Sequence, residues 1–125
     1  MAKDAVKVDS QHYQVEVNNK HVRVVRVQYG PHEKSVMHGH PNTVGVFLTD
    51  AHFRFTYPNG KSEEIGAKAG DVMWLDHFEH LPENLSDSRF EAIIVELKAG
   101  ANAKKPARAK PAKRRAARTR RAGRR

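Results

Sequence analysis

Three histidines in this 125-residue chain have the type and spacing that metal binding needs. His38-Gly39-His40 sets two imidazoles at positions i and i+2. In extended backbone both leave the same face, roughly 6.6 Å apart along the strand. Two rings so placed can converge on one ion at metal–nitrogen distances of about 2.1 Å if a neighbouring strand brings a third ligand. His80 follows a turn in a segment of the right kind, His80-Leu81-Pro82-Glu83-Asn84. An H-x-H pair also suits a solvated strand face, so its meaning depends on the elements around it.

Those elements read as strands. Tyr13 to Val17 alternates, Asn18-Asn19-Lys20 turns, and His21 to Tyr29 alternates again through Val22, Val24, Val25 and Val27. Val36 to His40 is extended, Pro41-Asn42 breaks it, and Thr43 to Thr49 is apolar and β-branched. His52 to Tyr57 runs into Pro58-Asn59-Gly60, a hairpin turn signal. After Gly66 and Gly70 come Val72 to Leu75, His80 to Leu85, and Phe90 to Leu97, whose Ile93-Ile94-Val95 suits a buried strand. Short period-two segments separated by turns, with no long helical period, predict an all-β sandwich or barrel.

With the histidines, these segments resemble the cupin superfamily. Gly30, His38 and His40 match its first motif, and Gly70, Asp71, His80 and Asn84 match its second. The resemblance spans about residues 20–97. It implies a jelly-roll β-barrel with His38, His40 and His80 inside its mouth as ligands of a divalent transition metal. Among cupins, the stretch from Pro31-His32-Glu33 to Leu85 looks most like small bacterial stand-alone members, including the one associated with β-alanine degradation. Cupins commonly dimerise through their sheets, so the resemblance also implies a homodimer.

The chain departs from that pattern twice. Val44 or Gly45 stands where cupins place a glutamate ligand, and Asp76-His77-Phe78-Glu79 replaces the Pro-x-Gly turn. Three arrangements stay open: three histidines alone, a fourth ligand drawn from His77, Glu79, His32 or Glu33, or a barrel that has lost its metal. Three neutral imidazoles suit Fe, Zn, Ni or Cu without choosing among them. Glu83 and Asn84 are candidates for orienting the histidines. Trp74 and Phe47 either line the cavity or belong to ordinary core. Arg26 and Arg54 either meet an anionic ligand inside the barrel or point outward into solvent.

Charge divides the chain. Residues 1–98 carry 11 Lys+Arg and all 14 Asp+Glu, a net −3, and residues 99–125 add 12 positive charges and no acid, giving the overall +9. We therefore expect a domain over 1–98 and a disordered basic tail over 99–125, whose Ala/Lys/Arg/Pro composition offers nothing to bury. Such a tail suits non-specific binding of nucleic acid, since it has no aromatics for stacking. It has no apolar face for a membrane. The absence of cysteine excludes disulfides, thiolate metal sites and cysteine nucleophiles. With no apolar leader or membrane-length segment in the sequence, a cytoplasmic protein is expected.

Together these features predict a small cupin that holds a metal and a small organic ligand. As an enzyme it would be dioxygenase-like or isomerase-like and act on a small metabolite from amino-acid or amine catabolism. The alternative is a non-catalytic binding or sensor barrel, associated with nucleic acid through its tail.

Overall fold

Among the described residues, alternation of apolar and polar residues builds nine strands, and their inward phase supplies the core. The structure, a computed structural model, describes residues 3–98; the tail expected over 99–125 lies outside the described residues. The strands are β1 (Tyr13–Asn18), β2 (Val22–Tyr29), β3 (His38–His40), β4 (Thr43–Phe47), β5 (Ala51–Thr56), β6 (Ser62–Ala67), β7 (Val72–Leu75), β8 (Phe78–Asn84) and β9 (Phe90–Leu97). They form a five-stranded sheet ordered β1-β2-β9-β4-β7 and a four-stranded sheet ordered β3-β8-β5-β6. The ladders within both sheets are antiparallel.

The β2–β9 ladder runs unbroken from Val22↔Leu97 to Tyr29↔Phe90 and forms the spine of the larger sheet. Its inward residues Val25, Val27, Tyr29, Phe90 and Ala92 are buried and meet Phe53 from the smaller sheet. Tyr29 and Phe90 pack against Phe53 with ring centroids 5.1 and 4.7 Å away at interplanar angles of 89° and 68°. These are the edge-to-face geometries that aromatic quadrupoles favour. Burying each large apolar side chain contributes about 1.5–3 kcal/mol, which makes this cluster the main clamp between the sheets.

The turns follow their sequence signals. Gly60 adopts φ 87° in the β5–β6 hairpin, where Asn59 Oδ1 accepts the Lys61 amide at 2.9 Å. Gly70 adopts φ 93° ahead of β7, a conformation that costs glycine least.

Two elements were not visible in sequence. Ser62–Ala67 pairs as β6 although its outward residues are charged or small. Ala5–Val8 forms a single helical turn, α1, capped by Asp4 Oδ1 accepting the Val6 amide at 3.1 Å. One turn is too short to show a 3.6-residue period. Its anchor is Ala5, 1% exposed, and the preceding Lys3 carbonyl accepts the Gly39 amide at 2.7 Å. The N-terminal segment thereby closes over β3, beside the histidines. Only His38–His40 of the expected 36–40 extension is strand. Among the described residues no helix is long and apolar enough to cross a membrane.

Candidate metal centre

Strand alternation turns His38 and His40 to the same inner face, while the Gly39 amide between them donates to the Lys3 carbonyl ahead of α1. The β3–β8 register sets His38 directly opposite His80. All three rings are buried, and each offers a nitrogen within 4.8 Å of those of the other two. Their ring centroids lie 4.8–5.2 Å apart, with interplanar angles of 78–88°. Three nearly perpendicular imidazoles converging from two adjacent strands form one triangular face of nitrogen donors.

Hydrogen bonds select which nitrogen His40 and His38 offer. His40 Nδ1 lies 3.1 Å from Glu96 Oε2 and donates to it. That bond leaves the His40 Nε2 lone pair for the centre. His38 Nδ1 lies 3.3 Å from Ser35 Oγ, and the Ser35 hydroxyl donates onward to Asp9 Oδ2. His38 Nε2 and both nitrogens of His80 are buried with no partner among the described residues. A buried polar atom without a partner costs about 1–3 kcal/mol, so three at one spot call for a ligand. A metal ion with vacant orbitals fits that donor set, and imidazole donors backed by a carboxylate or hydroxyl are the usual form of such a site.

The electrostatics agree. Burial holds His38 down to about 4, with the nearby His40 ring adding to the effect. His80 is pushed well below the ordinary imidazole range, first by burial and then by His40 and His38. Near neutral pH both rings are therefore unprotonated, the form that binds metal.

The shell extends on two sides. Glu96 also accepts from Arg23 Nε at 2.8 Å, and Arg23 forks onto Asp4 at 2.8 and 3.0 Å. On the other side Asp9 accepts from His12 Nδ1 at 2.7 Å, and His12 Nε2 lies 2.9 Å from Glu33 Oε1. His12 stacks on Tyr29 with centroids 4.1 Å apart and planes 4° from parallel.

Of the expected site residues, His38, His40 and His80 come together, and among the described residues none of the proposed fourth ligands joins them. His32 is exposed and pairs with Asp87 at 2.6 Å, and Glu33 is held by His12 and the Gly30 amide. His77 is exposed, and Glu79 stands opposite Gly39 on the other phase of its strand. Gly45 is buried on the cavity side of β4, whereas Val44 lies on the opposite phase beside Trp74 and Val95.

The orienting roles expected for Glu83 and Asn84 are also corrected. Glu83 faces Arg54 at 3.4 Å. Asn84 donates to the carbonyls of Gly30 and Ser88 at 3.0 Å each and fixes the turn into β9. Arg26 and Arg54 point outward to Glu16, Glu91 and Glu83. Phe47 lines the cavity, while Trp74 is half exposed. The residues sequence reasoning missed are Glu96, Ser35, Asp9 and His12. Glu96 alone left a signal, as an acid on the inward phase of a strand whose other inward positions are Phe90, Ala92 and Ile94.

Beside His40 and His80 lies a cavity of about 80 Å³. It is walled mainly by aromatic and aliphatic side chains from both sheets.

No protein-family model matches the sequence, and no curated protein matches it. Solved structures do match. A cupin domain from Bordetella pertussis Tohama I is similar over 70% of this chain and 92% of its own, at 26% identity and a TM-score of 0.65. The fold is that of a cupin. A double-stranded β-helix protein from Klebsiella pneumoniae covers 71% of this chain and 77% of its own at 20% identity and a TM-score of 0.55. Oxalate decarboxylase from Bacillus subtilis, a protein with Mn(II) centres, aligns over 63% of this chain and 22% of its own, at 19% identity and a TM-score of 0.50. The two-sheet barrel described above shares that fold, and in this chain it carries the histidine triad on its inner face.

Proposed function

We propose that the protein is a metal-dependent cupin whose His38, His40 and His80 hold one divalent transition metal and whose cavity admits a small organic ligand. The observation that carries this reading is the set of buried, partnerless nitrogens at His38 and His80, next to a His40 oriented by Glu96. The donors are imidazoles without a carboxylate, which favours Fe, Zn, Ni or Cu over hard oxygen-seeking cations. When bound, such an ion supplies Lewis acidity to a coordinated oxygen or sulfur. This chain's residues do the rest. Glu96 and Ser35 keep the Nδ1 protons of His40 and His38 turned away from the centre, and the aromatic wall excludes water.

The test is elemental analysis of untagged protein purified without chelators. We expect close to one transition-metal ion per chain, lost in His38→Ala and in His80→Ala while the far-ultraviolet spectrum stays that of a β protein. Equal metal content in wild type and both variants would sink the assignment.

A second reading, a binding or sensor barrel, is favoured by one observation. Among the described residues the cavity wall offers no carboxylate, lysine or arginine, and its two tyrosine hydroxyls are bonded to each other. In that reading the basic segment 99–125, with 12 positive charges, tethers the barrel to nucleic acid. Full-length protein would then bind duplex DNA with a log–log salt slope of about −0.9 per neutralised phosphate.

A further inference from the structure

The wall of the cavity restricts what can occupy it. Phe47, Phe55, Ile65, Met73, Phe78 and Ile94 are among the side chains that line it, and among the described residues no Lys, Arg, Asp or Glu does. Its hydroxyls are already engaged. The Tyr13 and Tyr29 hydroxyls bond each other at 2.7 Å, and Thr43 donates to the Pro41 carbonyl at 2.7 Å. The polar atoms left for an occupant are on the histidines, where both nitrogens of His80, itself 4% exposed, lack protein partners. A cavity of about 80 Å³ has room for about five to eight atoms the size of water.

We infer that this cavity takes a small, uncharged molecule with a hydrocarbon body and one donor head directed at the histidines. An ammonium or carboxylate on the body of such a ligand would be buried against phenylalanine and isoleucine with no counter-charge and no hydrogen bond. That penalty far exceeds anything the contacts could return. Each methylene placed there leaves water for close apolar contact and gains affinity. The wall therefore selects against free amino acids, amines and phosphorylated sugars. The inference rests on the proposed metal site only for its head group, since the apolar wall is there with or without an ion.

Thiols provide matched probes, because the sulfur ligates a metal while the body varies. Propane-1-thiol and cysteamine are the same size and differ by a methyl against an ammonium. 3-Methylbutane-1-thiol and 3-mercaptopropionate differ by an isopropyl against a carboxylate. Each would be titrated into full-length protein reconstituted with Co(II), following the sulfur-to-cobalt charge-transfer band. The neutral member of each pair should bind at least about tenfold tighter. Equal affinity, or a preference for a charged member, overturns the inference.

A second arm needs no metal. The methyl resonances of Ile65, Ile94 and Met73 are followed in chelator-treated protein as 3-methylbutan-1-ol or 3-hydroxypropionate is added. Shifts with the alcohol and none with the hydroxy acid support the apolar site even in a protein that retains no cobalt, which separates its fate from that of the metal centre. Methyl shifts with neither probe, or with both alike, overturn it.

Discussion

The Nδ1 side of the histidines and the cavity next to them are built from opposite materials. On the Nδ1 side, Glu96, Arg23 and Asp4 run outward from His40, and Ser35, Asp9, His12 and Glu33 run outward from His38, each hydrogen-bonded to the next. The cavity is walled by rings and branched aliphatics whose few hydroxyls are engaged with each other or with backbone. The difference separates two tasks. Directional hydrogen bonds fix ring orientation and tautomer, which loose apolar packing cannot do. A dry wall strengthens every electrostatic interaction at the site and limits what can enter, which a solvated polar wall cannot do.

That division puts the largest response on the carboxylate that backs His40. Glu96 is 3% exposed, accepts from His40, and is neutralised by Arg23. Glu96→Gln keeps the shape but removes the charge that polarises His40. Metal retention against a chelator should weaken about 10–100-fold. Ser35→Ala should act in the same direction and by less, because the 3.3 Å contact to His38 is the longer one and the hydroxyl is neutral. Variants that retain metal as the wild type does would show that packing alone holds the rings.

The sequence carried the inner faces of the strands better than it carried the polar shell. His38, His40 and His80 were legible because i,i+2 spacing and strand alternation are local, and the cupin resemblance supplied the gathering of all three in the barrel mouth that spacing cannot. Gly45 and Val44 could not be separated by sequence, since either register of β4 satisfies its apolar run; the ladder to β7 and β9 decides between them. Asp9, His12 and Ser35 were illegible for another reason. They reach the site through a one-turn helix and a loop, where no period announces which way a side chain points. β6 was missed because Ser62-Glu63-Glu64 reads as a polar loop, and only its pairing with β5 makes it strand.

Metal-free protein offers a middle-sized test of the same division through pH. His38 titrates at about 4 in the fold and near the ordinary 6.5 once unfolded. Between those values the unfolded chain binds a proton that the folded chain does not. Stability is therefore full above pH 6.5 and is lost as pH falls toward 4. At pH 5 the loss from His38 amounts to about 2 kcal/mol, with His80 adding in the same direction. Denaturant midpoints of chelator-treated protein at pH 7 and pH 5 measure it, and the His38→Ala variant should show a shallower decline. A flat profile in wild type would mean that the buried imidazoles take up protons as readily as they do in the unfolded chain. A bound ion, by holding the imidazoles unprotonated, should flatten the profile over the same window.

The smallest effect distinguishes the two faces of β4. Gly45 faces the cavity, and a Cβ built there meets nothing nearer than the Met73 carbonyl and the Phe47 ring, both at 3.9 Å. Gly45→Glu can therefore be accommodated sterically, but it sets a carboxylate among apolar side chains. Without metal that group should destabilise the fold or take up a proton; with metal it gains a cation within its compartment. We expect metal retention to improve severalfold while the metal-free variant becomes less stable than wild type. Val44→Glu, on the opposite phase beside Trp74 and Val95, should leave metal retention unchanged. Were Val44→Glu the variant that tightens binding, the register of β4 would have to shift by one residue and turn its whole apolar set over. If neither substitution alters retention, a carboxylate rooted at β4 does not reach the three nitrogens. The cavity would then serve to admit an apolar occupant rather than to leave room for a lost ligand.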